Sequence, residues 1–192
     1  MNQPLLVILA GPNGAGKSTL RINFPEYKAL PFVNADLIAR ARFEDIGEAE
    51  SQAAQKEAQA QINLYFQDQE SFCFETVFSH ISKIELIKTA HTYGYEVELC
   101  IVSNDNVAVN VARVKQRAAK GGHDVPTKKI RDRRTRTHAN LKAAIAIADR
   151  FRIFDTSHGS ATEIARGGNA PATNTALSTA PQWAQEILDG LS

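Results

Sequence analysis

The sequence predicts an α/β fold in which a parallel β-sheet carries helices on both faces. Short apolar runs typical of strands alternate with longer polar segments of helical composition along the 192 residues. The first run, Leu5 to Ala10, is continuously apolar, as expected of a strand that is covered on both faces. A glycine-rich turn follows it and leads into a helix-forming segment. The chain is long enough for one domain with a buried core.

The other elements are predicted from hydrophobic runs, helix formers and breakers. The glycine turn opens a helix from Gly16 to about Phe24, which Pro25 ends. Thr127 is expected to cap a later basic helix. We expect further helices from about 34, over 44–68 as a long and largely exposed helix, and over 82–93, 107–120, 127–149 and 182–191, and strands at 30–33, 71–75, 95–102, 151–154 and, at an edge, 162–166.

These elements are expected to make one domain over residues 1–192. Its core spans 4–157, and the segment 167–181, rich in Ala, Thr, Asn and Gly, is expected to be a surface linker. A closing helix over 182–191 should turn Trp183, Ile187 and Leu188 toward the body.

Composition and charge narrow the function classes. Hydrophobic residues make up 43% and charged residues 22%, and the net charge is +1, so no overall field favours nucleic acid or membrane as a partner. The sequence lacks the basic start of a signal peptide, and its apolar runs fall short of the roughly 20 residues of a membrane helix. We therefore expect a cytoplasmic protein. Cys73 and Cys100 lie in apolar runs and are expected to be buried thiols.

A phosphate-binding loop is predicted directly after the first strand. Glycine, four residues, glycine, lysine and serine follow one another in the order that cradles nucleotide phosphates. Backbone N–H groups and the positive end of the following helix would bind the phosphates, while Lys17 would bridge two of them and Ser18 would bind Mg²⁺. The predicted ATP-binding residues are Gly11, Pro12, Asn13, Gly14, Ala15, Gly16, Lys17, Ser18 and Thr19.

The loop alone does not separate the classes of nucleotide-binding protein. The Asn-Lys-x-Asp motif of GTPases and the Leu-Ser-Gly-Gly motif of transporter ATPases are absent from the sequence. A small-molecule kinase needs a carboxylate near the acceptor, a way to hold Mg²⁺, and arginines that close over the phosphates. Two alternatives stay open: a module in which ATP switches a protein contact through the long exposed helix, and a kinase for another acceptor, such as a nucleoside or an antibiotic.

Two carboxylates are predicted at the edge of the sheet where the phosphate loop lies. Asp36 follows the second strand and Glu75 ends the third, and ligands collect at this edge in such folds. Asp36 would orient or deprotonate an acceptor hydroxyl, although a helix N-terminus also favours a carboxylate there. Glu75 would reach Mg²⁺ or hold the acceptor. Other residues expected to line the acceptor pocket are Ser79, His80 and Lys83, with a structural role as the alternative for His80.

A group of arginines flanks a predicted hinge at Gly121-Gly122. Arginines on a mobile lid would stabilise the charge that develops on a transferring phosphoryl group. We expect Arg131 and Arg134 to lie on a solvated face instead. The other members of the group are Arg113, Arg117, Arg133 and Arg136, which form two pairs at helical spacing.

Six motifs in this order resemble the zeta-toxin-like kinases in their short form, over roughly residues 4–157. They are 11–19, Asn34-Ala-Asp36, Phe74-Glu-Thr-Val-Phe-Ser-His80 with Lys83, Arg113-Val-x-x-Arg117, Gly121-Gly-His-Asp-Val-Pro126, and Ile130 through Arg133 to Arg136. The resemblance implies a P-loop kinase that uses ATP to phosphorylate a hydroxyl of UDP-N-acetylglucosamine and that a small antitoxin neutralises.

The resemblance also implies roles for single residues. Asp36 matches the catalytic base, and Lys17 with its loop matches the ATP site. Glu75 and Thr76 match the acceptor motif, while Arg117 and Arg133 match arginines that contact ATP phosphates. The sequence departs from the family's pattern at Arg134, often an aromatic residue there, at His138, commonly apolar, and at Asp155-Thr-Ser157 in place of Asp-Asn-Ser. The chain is also shorter than the large zeta toxins, so their acceptor pocket need not be reproduced in full in this protein.

Overall fold

The computed structural model describes residues 3–119, 125–168 and 180–191, and within them six strands form one sheet. The spatial order is β2-β3-β1-β4-β5-β6. All neighbours are parallel except β6, which runs antiparallel to β5. The strands are β1 (Leu5–Ala10), β2 (Phe32–Val33), β3 (Phe72–Thr76), β4 (Glu96–Ser103), β5 (Arg150–Asp155) and β6 (Thr162–Gly168).

Helices cover both faces of this sheet, which confirms the predicted α/β architecture. Four of them, α4, α5, α7 and α8, pack on one face, while α1 and α2 pack on the other against Val7 and Leu9. The helices are α1 (Lys17–Asn23), α2 (Pro25–Lys28), α3 (Ala35–Arg42), α4 (Glu48–Asp68), α5 (Ser82–Thr92), α6 (Val107–Ala119), α7 (Thr127–Ile145) and α8 (Gln182–Leu188), followed by a 3₁₀ turn at Asp189–Leu191.

The long helix α4 is largely exposed, as predicted, but it begins later than the sequence predicts. It begins at Glu48 rather than near 44, because Gly47 is extended and its N–H donates to the Glu50 carboxylate at 3.0 Å. Every fourth residue from Ala54 through Ala58, Ile62 and Phe66 is buried, so the helix is exposed on its outer side only. Two of these buried residues are alanines, whose small side chains allow close packing although the composition of α4 is mostly polar.

Other boundaries also differ from the prediction. Pro25 opens the short helix α2 as well as following α1, since its fixed φ suits a first helical turn. Pro126, not Thr127, occupies the N-cap position of α7, and no side chain caps that end. Helix α7 ends at Ile145 rather than 149. Gly167 and Gly168 belong to β6, so the predicted linker starts too early.

Several predicted features concern buried residues or lie outside the described ranges. Cys73 and Cys100 are buried free thiols, as predicted. Trp183, Ile187 and Leu188 pack into the core from α8, also as predicted. The hinge at 121–122 and most of the linker, 169–179, lie outside the described residues. Within the described residues, no helix is long and apolar enough to cross a membrane.

Candidate active site

The phosphate loop leaves β1 at Ala10 and enters α1 at Lys17. Gly14 and Gly16 have φ values of +75° and +98°, a region that residues with a Cβ resist. At Gly11, a Cβ would lie 2.0 Å from the carbonyl oxygen of Val102, so the backbone of β4 also demands glycine there. The loop is thus shaped both by its own glycines and by the neighbouring strand.

Lys17 is buried inside this loop. Its Nζ donates to the carbonyl oxygens of Gly11 at 3.0 Å and Pro12 at 3.1 Å. Burial lowers the pKa of Lys17, while the charges of Glu75 and Asp36 act in the opposite direction and the charge of Arg117 lowers it further. The ammonium group is therefore held by carbonyl oxygens of its own loop, and two carboxylates and a second cation act on its charge.

Arg117 supplies an observation that points to an anionic ligand. Its Nε and Nη2 are buried and have no hydrogen-bond partner within the described part of the chain. A buried guanidinium without an acceptor is costly, and here it lies close enough to influence Lys17. A buried lysine in a glycine loop, together with an arginine whose buried N–H groups are unpaired, fits the phosphates of a nucleotide.

The side chains of Ser18 and Glu75 are in contact where the phosphate loop meets the end of β3. The Oγ of Ser18 lies 3.0 Å from one carboxylate oxygen of Glu75 and 2.9 Å from the other. Their oxygens are the ligand type that Mg²⁺ prefers. Among the described residues no group of three or more His, Cys, Asp and Glu side chains is placed to hold a metal. A metal here would thus depend on substrate oxygens as well.

Asp36 lies in the exposed first turn of α3, directly after β2. The side chain of Asn34 caps this helix by accepting from the backbone N–H groups of Asp36 at 2.8 Å and Leu37 at 3.3 Å. The Asp36 carboxylate is therefore not used as a cap. Its charge raises the pKa of both Lys17 and Arg133, against the lowering effect of burial.

The predicted lid arginines separate into different roles. Helices α6 and α7 share a small apolar cluster of Val114, Val125 and Ile130, which joins the two arginine-bearing segments. Burial lowers the pKa of the Arg133 guanidinium on α7, and the charge of Asp36 acts in the opposite direction. Arg113 instead braces the loop, since it donates to the carbonyl of Gly14 at 3.4 Å and to the Thr156 hydroxyl and carbonyl at 3.2 and 3.0 Å.

Arg134 is not on a solvated face, so that prediction is wrong. Its Nη1 donates to the side-chain oxygens of Asn104 and Asn110, each at 3.3 Å, and its Nη2 donates to the backbone of Asn104. Burial lowers its pKa. The acceptors come from the end of β4 and from α6, and no spacing along the chain reveals them. Arg131 is exposed, as predicted.

The predicted acceptor residues line the loop between β3 and α5. Thr76 accepts from the N–H of Phe78 at 3.3 Å, and Ser79 is half-buried. His80 binds both the hydroxyl and the N–H of Ser82 at the start of α5, which favours the structural alternative for this residue. Lys83 is half-buried with its Nζ 5.2 Å from the Phe74 ring centroid, and burial lowers its pKa.

Sequence reasoning misses several residues that build the site. Thr156 donates to the carbonyl of Ala15 at 2.9 Å and binds Arg113, and its position just after β5 is a usable signal because that edge carries the site. Asn104 carries the same signal after β4. No sequence signal marks the others, which are Asn110, Thr137 and Asn140.

Comparisons with known proteins identify the family and the fold of this chain. Residues 19–170 match the family described as Zeta toxin. An uncharacterized protein of Haemophilus influenzae is 31% identical over 123 residues, which cover 61% of this chain and 83% of that protein. The PezAT toxin–antitoxin system of Streptococcus pneumoniae contains a chain of similar fold, with a TM-score of 0.64 and 16% identity over 98% of this chain and 84% of that one.

The complex of AvrRxo1-ORF1 and AvrRxo1-ORF2 with ATP also contains a similar chain, with a TM-score of 0.72 and 17% identity. The match covers 99% of this chain but 64% of that one, so this protein spans less than two thirds of the AvrRxo1 chain. At such identities the structural likeness establishes the fold, and the family match covers most of the sequence. The chain belongs to the Zeta toxin family and is a phosphotransferase with the P-loop kinase fold.

Proposed function

We propose that this protein transfers the γ-phosphoryl group of ATP to a hydroxyl of a UDP-sugar such as UDP-N-acetylglucosamine, as the toxin of a toxin–antitoxin pair. Asp36 carries the proposal: Asn34, not Asp36, caps α3, and the Asp36 carboxylate interacts electrostatically with Lys17 in the phosphate loop and with Arg133 on α7. A base that interacts with two of the cations that would hold a phosphoryl group suits hydroxyl transfer better than simple nucleotide storage.

The nucleotide is assigned to the phosphate loop. Backbone N–H groups of 11–16 and the start of α1 would bind the phosphates, and Lys17 would exchange its two carbonyl partners for phosphate oxygens. The unpaired N–H groups of Arg117 would complete the site. The AvrRxo1 complex, whose fold is similar, was determined with ATP, which supports this choice of nucleotide.

Magnesium fits between the loop and β3. Ser18 and Glu75 would hold the ion, Ser18 directly and Glu75 directly or through water, and the remaining ligands would be phosphate oxygens and water. When bound, Mg²⁺ neutralises charge on the phosphates.

Transfer requires one proton movement and one exchange of P–O bonds. Asp36 accepts the proton of the acceptor hydroxyl as its oxygen bonds to the γ-phosphorus, and the bond from that phosphorus to the bridging oxygen of ADP breaks. Lys17, Arg117 and Arg133 stabilise the negative charge during this exchange. Arg113 contributes indirectly by holding the loop. The products are ADP and the phosphorylated acceptor.

An anionic acceptor is supported by Lys83. The ammonium group is partly desolvated beside Phe74, and it makes no ion pair among the residues that the structure describes. A diphosphate such as that of a UDP-sugar would supply the missing partner. Glu75 and Thr76 end β3 and Ser79 lies in the loop that follows, and these side chains would bind sugar hydroxyls.

An antitoxin partner is supported by the family and by the long helix α4. Its outer side is exposed while its inner side packs on the core, so a partner protein has a continuous helical surface to bind. The matched PezAT system pairs a toxin with an antitoxin, which makes such a partner the natural candidate for this surface.

The acceptor is tested by incubating the protein with Mg·ATP and, separately, UDP-N-acetylglucosamine, other UDP-sugars, nucleosides and aminoglycosides. We expect mass spectrometry to show a gain of one phosphate on the UDP-sugar and none with the Lys17→Ala variant. Expression of the parent should arrest growth of the host, and Lys17→Ala should restore it. Phosphorylation of a nucleoside or an antibiotic alone would overturn the UDP-sugar assignment.

The same assay decides between a kinase and a nucleotide-dependent binding module. A module of that class uses ATP to switch a protein contact through α4, whose exposed side is the one observation in its favour. It would form ADP without any phosphorylated acceptor. Growth arrest that persists in Lys17→Ala would also contradict the proposed toxin activity.

A further inference from the structure

Helix α7 carries two neighbouring rows of polar side chains that contact opposite sides of the site. Arg133, Thr137 and Asn140 are spaced by four and three residues, so they share one face of the helix. Arg134 and His138 are four residues apart and share the adjacent face. The first row meets the acceptor side and the second meets the end of β4. One rigid element therefore touches both substrate-binding regions.

The first row contacts residues 77–81, the loop between β3 and α5, which we call the acceptor loop. The hydroxyl of Thr137 donates to the carbonyl of Val77 at 2.8 Å, and the side-chain amide of Asn140 donates to the carbonyl of Phe78 at 3.0 Å. Phe78 is buried and has a φ of +63°, a conformation that a residue with a Cβ adopts only when its surroundings impose it. The hydrogen bonds from α7 to the successive carbonyls of Val77 and Phe78 provide surroundings of this kind.

The second row reaches the phosphate loop through a single intermediate side chain. Arg134 binds the side-chain oxygens of Asn104 and Asn110, both fully buried. The amide of Asn110 in turn donates to the backbone carbonyl of Asn13 in the loop at 2.8 Å. The planar fork of arginine suits two acceptors from different elements, whereas the single ammonium of lysine does not.

We propose that α7 is a brace that fixes the acceptor loop relative to the phosphate loop, with Thr137 and Asn140 as positioning residues for the acceptor and Arg134 as the positioning residue for the nucleotide. The proposal rests on the proposed function, since it concerns how that site aligns its two substrates. Displacement of reacting groups by about 1 Å costs on the order of 100-fold in rate. A brace of this kind therefore affects alignment as well as stability.

The test uses two variants with matched controls on the same helix. The double variant Thr137→Val/Asn140→Ala removes both donors to the acceptor loop, and Arg134→Met removes the donors to the asparagines. Thr135→Val and Arg131→Met alter exposed residues of α7 and serve as controls. If a variant does not fold, the milder changes Thr137→Val alone and Arg134→Lys replace it, with effects in the same direction.

Hydrogen exchange of the protein without ligands is the first measurement. In the double variant, the segment 76–83 should exchange about tenfold faster while 11–20 keeps the parental rate. In Arg134→Met the pattern should be reversed. The controls should match the parent. Equal acceleration of both segments in both variants, or no acceleration beyond the controls, would overturn the proposal.

Kinetics with Mg·ATP and UDP-N-acetylglucosamine provide the second measurement. The double variant should raise KM for the UDP-sugar about tenfold and leave KM for ATP unchanged, and Arg134→Met should do the reverse. A purely structural role would lower the folded fraction, and hence the apparent kcat, with both KM values unchanged. If the parent does not phosphorylate the UDP-sugar, the acceptor assignment fails, and hydrogen exchange alone still decides the brace.

Discussion

At the scale of single residues, the site is built from buried charges whose partners come from distant parts of the sequence. Lys17 is held by its own loop, but the groups that set its charge environment are Asp36, Glu75 and Arg117. The motif identifies Lys17 because strand, glycines and lysine are contiguous. Arg134 is misjudged because Asn104 and Asn110 lie 30 and 24 residues away, and only the fold brings them together.

His138 should make the stability of the protein depend on pH. Its Nε2 lies 3.0 Å from the Oγ of Ser103, and burial together with the charge of Arg134 lowers its pKa to about 4. The unfolded chain takes up the proton near pH 6.5. The neutral ring therefore stabilises the fold fully above pH 6.5, and this contribution is lost as the pH falls toward 4.

Protonation of His138 should lower the free energy of unfolding by at most about 3 kcal/mol. The loss should stay below this limit because solvent reaches part of the ring. Urea denaturation at several pH values measures it. In His138→Gln the pH dependence between 6.5 and 4 should be smaller, whereas the exposed His158→Gln should keep the parental curve. Identical curves for His138→Gln and the parent would contradict this assignment.

At the scale of elements, alternation of apolar and helix-forming segments predicts the order of strands and helices well. It predicts boundaries less well, because these depend on details such as the extended Gly47 and the cap position of Pro126. The packing of α4 is hidden for a different reason. Ala54 and Ala58 are only weakly hydrophobic, yet both are buried in the structure.

Helix α4 offers a matched pair of substitutions that tests its packing. Ile62 is fully buried against the sheet, whereas Leu64 is 57% exposed on the outer side of the same helix. Ile62→Ala should lower the free energy of unfolding by about 2–5 kcal/mol through lost burial and a cavity. Leu64→Ala should change it by no more than about 0.5 kcal/mol. Urea denaturation compares the two, and similar losses would show that the helix is not packed as described.

At the scale of the whole molecule, the sheet order places β1 between β3 and β4 and gathers the chemistry at one edge. The phosphate loop, Asp36, Glu75, Asn104 and Thr156 each follow or end a strand at that edge. Sequence alone identifies this edge because parallel strands imply it. It does not show that α7 joins the acceptor loop to the nucleotide side, since that requires knowing which way each helical face points.

Single-turnover phosphoryl transfer by the Asp36→Asn variant tests whether Asp36 acts as the base. The change keeps the size of the side chain and removes its basicity. Asp68→Asn, at the exposed far end of α4, is the control. The acceptor is the one that the parent phosphorylates, and Mg·ATP binding is measured by calorimetry on the same samples.

We expect Asp36→Asn to bind Mg·ATP with an affinity within about threefold of the parent. It should transfer phosphate at least about 100-fold more slowly, which is the usual range for loss of a general base. Asp68→Asn should transfer at the parental rate. Transfer by Asp36→Asn at near the parental rate would contradict the assignment of the base and, with it, the proposed arrangement of the site.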